Sequence, residues 1–118
     1  NISDNDGNTF VHVLCKYGHI ESLRKCAKFC KEIINTQNNN LETPSIIACK
    51  NGHENVFYCL KGHNIDLNIC DQYGNSAFHY MCQSAICLGT IIQNNKNNFG
   101  FTPLDYCTVD NALYYVEQ

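Results

Sequence analysis

Thr9-Phe10-Val11-His12-Val13-Leu14-Cys15-Lys16-Tyr17-Gly18-His19 is answered 34 residues later by Thr43-Pro44-Ser45-Ile46-Ile47-Ala48-Cys49-Lys50-Asn51-Gly52-His53, with Thr, Cys, Lys, Gly and His in register. Ser76-Ala77-Phe78-His79-Tyr80-Met81-Cys82 takes up the series 33 residues after Thr43, and Thr102-Pro103-Leu104-Asp105-Tyr106-Cys107 opens a fourth copy only 26 residues further on. A recurrence of about 33 residues points to a stacked helical array, in which each unit buries its apolar face on the next.

Local chemistry agrees with that period. Thr43 and Thr102 are good helix N-caps, and the proline after each sits where a missing N–H costs nothing. Gly18 and Gly52 can take the left-handed conformation that stops a short helix. Apolar residues then recur at helical spacing: Ile20, Leu23, Cys26 and Ala27 in the first copy, Val56, Phe57 and Leu60 in the second. Between copies, Asp4-Asn5-Asp6-Gly7, Asp71-Gln72-Tyr73-Gly74 and the looser Asn97-Asn98-Phe99-Gly100 read as projecting turns. The predicted fold class is all-α, a solenoid of about four helix–turn–helix units with boundaries near 4–37, 38–70, 71–96 and 97–118.

Composition narrows the function. Of 118 residues, 44% are apolar and 16% charged, which suits one globular domain rather than a disordered chain. A net charge of −3 gives no basic surplus for nucleic acid, and Arg24, Lys25, Lys28 and Lys31 read as one solvated helix face. No apolar stretch is long enough to span a bilayer, so no membrane insertion is expected. The chain lacks an initiator Met and is expected to be part of a larger protein. Nine cysteines, an odd number without paired spacing, argue against a disulfide framework and for a reducing compartment, cytoplasmic or nuclear.

The repeated letters resemble the ankyrin repeat: Asp-x-x-Gly-x-Thr-Pro-Leu-His, two small residues, Gly-His, then Gly-x-Asp-x-Asn. The resemblance covers essentially the whole chain. It implies helix pairs stacked side by side, with β-turn fingers projecting from one edge. The departures are Phe10 in the proline place, one extra residue near Lys31, Ile46 and Asp105 in histidine places, and Leu41 at a finger glycine. The third unit lacks the Gly-His turn and is about seven residues short, which is expected to trim its second helix, Ala85–Ile92.

His12, Cys15 and His19 also invite a metal or nucleophile reading. A zinc site needs four ligands converging on one point, whereas letters repeated once per unit are spread along an array. The second copy keeps Cys49 yet has Ile46 in the histidine place. A Cys/His nucleophile meets the same objection, because it needs one activating environment that the other copies lack. The resemblance implies instead that His12 and His79 bond the capping residue and nearby backbone, and that His19 and His53 brace the turn. Cys15, Cys49 and Cys82 then fill small buried slots, and Cys26 and Cys30 pack inward. Neither a metal nor another cofactor is expected, and the chain is predicted not to be an enzyme.

What remains is a binding module with a concave face of finger turns and first helices. The positions flanking the repeated core are Asn5, Asp6, Asn8, Val13 and Lys16; then Asn40, Glu42, Ile47 and Lys50; then Gln72, Tyr73, Asn75, Tyr80 and Gln83; and last Asn98, Phe99, Phe101 and Tyr106. The first two sets are mostly polar, while the last two carry five aromatics, the usual anchors of protein contacts. Lys16, Ile47, Lys50, Gln72, Tyr73, Asn75, Tyr80, Gln83, Phe99, Phe101 and Tyr106 are therefore the predicted protein-binding residues, with Lys16, Lys50 and Glu42 as a polar flank. Phe99 and Phe101 have an alternative, folding inward behind the shortened third unit.

The expected partner is a protein, met in a regulatory, inhibitory or adaptor role. Two alternatives are a regulatory or targeting domain of a larger enzyme or channel, and a cysteine-rich redox or zinc protein. The apolar Ala112-Leu113-Tyr114-Tyr115-Val116 predicts self-association or further repeats at the C-terminal end.

Overall fold

The structure, a computed structural model, describes residues 3–84 and 94–107. In chain order it has α1 (Phe10–Tyr17), α2 (Ile20–Cys26) with a 3-10 turn over Ala27–Phe29, α3 (Pro44–Lys50), α4 (Glu54–Lys61), α5 (Ala77–Ser84) and a second 3-10 turn over Pro103–Tyr106. The described residues contain no strand. The architecture is the all-α solenoid: α1 packs on α2 and α3 on α4 as antiparallel pairs, α3 is seated between α1 and α5, and α2 lies on α4.

The helices begin and end where the sequence says they should. Thr9 Oγ1 accepts the N–H of His12, and the His12 ring returns a bond to the Thr9 backbone, closing a capping box. Thr43 Oγ1 accepts the N–H of Ile46, with Pro44 at the first helical position. Gly18 ends α1 at φ 70°, which turns the chain straight into α2. Helices of seven or eight residues are too short to be stable alone, so packing holds them. Leu23, Ile46, Val56, Phe57, Leu60 and Met81 are fully buried in one continuous core that runs through the first three units.

The fourth start differs from the expected helix. Thr102 and Asp105 close a capping box, but the segment tightens into a single 3-10 turn ending at Tyr106. The predicted trimmed helix Ala85–Ile92 and the apolar segment 112–116 lie outside the described residues.

Candidate protein-binding surface

Four finger turns are built on one rule. The first residue of each, Asp4, Asn38, Asp71 or Asn97, turns its side-chain Oδ1 back to accept two backbone N–H groups, two and four residues on, at 2.9–3.0 Å. The fingers are tied to one another edge to edge. Asn39 N–H donates to Asp6 C=O at 2.9 Å, Gln72 N–H to Asn40 C=O at 3.1 Å, and Asn98 N–H to Tyr73 C=O at 2.9 Å. Rigid turns in a bonded row hold their outward side chains at low entropy cost.

A polar floor underlies the row. Asn38 Nδ2 donates to Asn8 Oδ1 at 2.8 Å and to Glu42 Oε1 at 2.9 Å, and Glu42 Oε2 takes the Lys50 ammonium at 2.5 Å. Lys50 Nζ lies 5.6 Å from the centre of the Tyr80 ring, and the Tyr80 hydroxyl donates to Asp71 Oδ2. Asn75 Nδ2 donates to that hydroxyl at 3.2 Å, and Asn97 Nδ2 bridges Asn75 Oδ1 at 2.6 Å and Tyr106 Oη at 2.8 Å. Burial and the Asp71 carboxylate push the Tyr80 hydroxyl well above its ordinary pKa of 10, so it remains a donor.

Two buried histidines staple neighbouring units. His12 Nδ1 accepts the Thr9 N–H at 3.1 Å, so the proton is on Nε2, which donates to Glu42 C=O at 2.9 Å. His79 repeats the arrangement, with Nδ1 on the Ser76 N–H at 3.1 Å and Nε2 on Phe101 C=O at 3.0 Å. Burial holds both rings below the ordinary 6.5, in the neutral form that the geometry needs. The His53 side chain reaches outside its own turn, its Nε2 bonding Lys16 C=O in the preceding unit at 3.0 Å.

Above the floor, the exposed side chains divide. A groove of about 550 Å³ is lined by Asp4 and Asp6 of the first finger and by Lys16, Tyr17 and Lys50 of α1 and α3. Over the last two fingers the surface is aromatic. The Tyr73 and Phe99 rings stack with centroids 6.2 Å apart, and Phe101 meets Tyr106 edge-on at 5.7 Å. Tyr73, Phe99 and Phe101 are 46%, 63% and 47% exposed, so the inward alternative for the two phenylalanines does not hold.

Placement of the predicted residues is mixed. Lys16, Lys50, Gln72, Tyr73, Gln83, Phe99 and Phe101 are exposed, and Tyr106 is half-buried. Ile47, Asn75 and Tyr80 correct the expectation of exposure: all three are buried, Ile47 in the core and the other two in the floor. Glu42, predicted as exposed flank, is buried as well. A carboxylate or phenol buried here is affordable because each finds charged or amide partners. Asn38, Asp71 and Asn97 escaped notice as organisers. Their signal was the polar residue that opens every finger.

Four buried thiols are held in the protonated form. Burial pushes Cys15 up to about 12 and Cys30 to about 11, and raises Cys49 and Cys82 further. Among the described residues, no three His, Cys, Asp or Glu side chains gather where one ion could sit. Arg24 pairs with the exposed Glu21 at 3.1 Å, and Lys25, Lys28 and Lys31 are exposed, but only Arg24 and Lys25 lie on α2, so the four do not form the single helix face expected. No helix of the described residues is long and apolar enough to cross a membrane.

Two comparisons bear on this architecture. A family model described as ankyrin repeats (three copies) matches residues 1–69. Over 127 aligned positions the chain is 24% identical to the nuclear factor NF-kappa-B p105 subunit of Rattus norvegicus, covering 95% of this chain and 13% of that protein.

Proposed function

The chain belongs to the ankyrin repeat family, and from that membership we propose that it binds a protein partner across its finger row, anchored on the aromatic surface of the last two fingers. Ankyrin repeats are generally non-catalytic protein–protein interaction modules. The observation that carries the finer reading is the exposed Tyr73–Phe99 stack on backbone-bonded fingers. Large rigid rings lose little entropy when a partner covers them and are enriched among residues that dominate binding energy. Lys16 and Lys50 form the polar flank of the same face, and Gln72 and Gln83 its rim. The buried Tyr80, Asn75 and Ile47 serve as its support. We place the domain in a regulatory, inhibitory or adaptor role within a longer protein, acting in cytosol or nucleus, where buried free thiols persist.

Alanine at Tyr73, Phe99 and Phe101 together tests the reading, with circular dichroism and melting temperature as folding controls. Partner capture by the intact parent protein is expected to fall at least about tenfold, since each such anchor is worth more than about 1 kcal/mol. Undiminished capture by a folded triple variant removes the aromatic surface from the binding site.

A further inference from the structure

Repeat symmetry exposes an unfinished surface at the other end, on the leading side of the first unit. Every later unit reaches back to its predecessor through the backbone of its finger, and further bonds differ from junction to junction. The second residue of each later finger, Asn39, Gln72 or Asn98, donates its backbone N–H to the preceding finger, and Asn39 and Asn98 add a side-chain bond at 3.1 Å. His53 grips Lys16 C=O, and Ser84 Oγ donates to Cys49 C=O at 2.6 Å. The places of Pro44, Ala77 and Pro103 are buried.

In the first unit those places are filled by Asn5, His19, Tyr17 and Phe10. Asn5 is the same amide used at Asn39 and Asn98, yet among the described residues neither its N–H nor its side chain has a partner. Phe10 and Tyr17 are 52% and 61% exposed, and Phe29 at 78% shares with Phe10 an open groove of about 450 Å³. A terminal unit that ends an array needs a polar outer face, and this one exposes three large aromatic rings, Phe10, Tyr17 and Phe29, with Lys28, Lys31 and Glu32 at the edge of the groove.

We propose that the leading face of the first unit is a docking surface for a further unit of the same kind, joined ahead of it in the same chain. Its finger would offer a third-position carbonyl to Asn5, as Asp6, Asn40 and Tyr73 do to their successors, and its helix pair would cover Phe10 and Tyr17. The argument is continuity: the bonded row of fingers already runs through three junctions, and its next donor is in place. This inference stands apart from the aromatic surface, which lies at the opposite end of the row.

The test grafts a copy of residues 38–70 directly before Asp4, because Cys70 directly precedes Asp71 in the native chain. A second graft carries alanine in the Ile46 place, making room for the Phe10 ring. With at least one graft, exchange of the Asn5 amide hydrogen is expected to slow about tenfold or more, and the melting transition to stay single and rise by about 5 °C. Unchanged Asn5 exchange in both grafts, or a separate transition for the added unit, overturns the proposal. So does concentration-dependent dimerisation of the ungrafted chain that Phe29→Ser abolishes, since the occupant would then be a second copy.

Discussion

The junction between the first and second units and that between the third and fourth are built alike, while the junction between the second and third is not. Asp4, Asn8 and His12 in the first unit correspond to Asp71, Asn75 and His79 in the third. Asn38 and Asn97 open the units that follow, and each sends its amide back to the asparagine behind, Asn8 or Asn75. Each histidine reaches forward to the carbonyl before the next cap, Glu42 or Phe101. At the middle junction Ile46 occupies the histidine place, fully buried, with Ser84 Oγ on Cys49 C=O and Lys50 over the Tyr80 ring to bind the units together. At their centres the joints thus alternate, polar at His12 and His79 and apolar at Ile46. A polar joint depends on direction and protonation state, an apolar one on filled volume.

The largest expected effect comes from emptying the apolar joint. Ile46→Ala should cost about 3 kcal/mol, because the cavity opens between two units that a short helix cannot close. Urea unfolding measures it. If the middle joint is the structural keystone, the transition also broadens as the two halves uncouple. A sharp transition with a loss below about 1 kcal/mol would show that the joint relaxes and that the comparison overrates it.

The polar joints should respond to acid and the middle one should not. His12 and His79 have folded pKa values below the ordinary 6.5, so beneath that pH the unfolded chain binds more protons than the folded one. Stability is therefore full above about pH 6.5 and declines as the pH falls from there through the depressed folded values, by at most about 1.4 kcal/mol per pH unit for each ring. Protonating Nδ1 also places a donor against the Thr9 or Ser76 N–H. Unfolding free energies between pH 7 and 5 should flatten in a His12→Gln, His79→Gln double variant. Asp4, whose carboxyl is lowered by backbone hydrogen bonds from Asn8 and Asp6, acts only below this window. An equally steep decline in the double variant would place the titrating groups elsewhere.

Tyr80→Phe tests the floor with a smaller expected loss of about 1–2 kcal/mol, since it strips a donor from the buried Asp71 carboxylate while keeping the ring under Lys50. Calorimetry measures the loss. A neutral result would mean that water replaces the hydroxyl, and that the floor is less dry than its burial suggests.

Most of the helical frame was legible because it rests on local rules. Caps at Thr9 and Thr43, proline at 44, glycine at 18 and apolar spacing at Leu23 and Phe57 all act within a few residues, and the period multiplied the signal. The site was only half legible. Tyr73, Phe99 and Phe101 appeared as exposed aromatics, but Tyr80 carries the same letter and is buried, because its fate depends on Asp71, nine residues away in sequence. Position within a unit says which way a residue points. It does not say whether a carboxylate from the finger waits there.

Leu41 offers the smallest and sharpest test. Three fingers have glycine at their fourth place, Gly7, Gly74 and Gly100, at φ between 77° and 86°; the second has Leu41 at φ 63°. A Cβ on Gly7 or Gly74 would stand 2.5 Å from the side-chain oxygen of the next finger's Asn39 or Asn98, so glycine and the following asparagine belong together. After Leu41 the next finger has Gln72, and the side-chain bond seen from Asn39 and Asn98 is missing among the described hydrogen bonds. Leu41→Gly relieves a left-handed leucine worth about 1 kcal/mol, offset in part by the freer unfolded chain, so a net gain of a few tenths is expected. Adding Gln72→Asn should then contribute about 0.5–1 kcal/mol that the same change does not give beside Leu41, because only glycine lets the amide close over the turn. A double-mutant cycle by denaturant unfolding reads that coupling. A cycle that sums to zero would mean that glycine and asparagine recur together in the fingers for unrelated reasons, and the middle joint would then differ from its neighbours in the histidine place and in the missing asparagine-amide bond, not in the turn glycine.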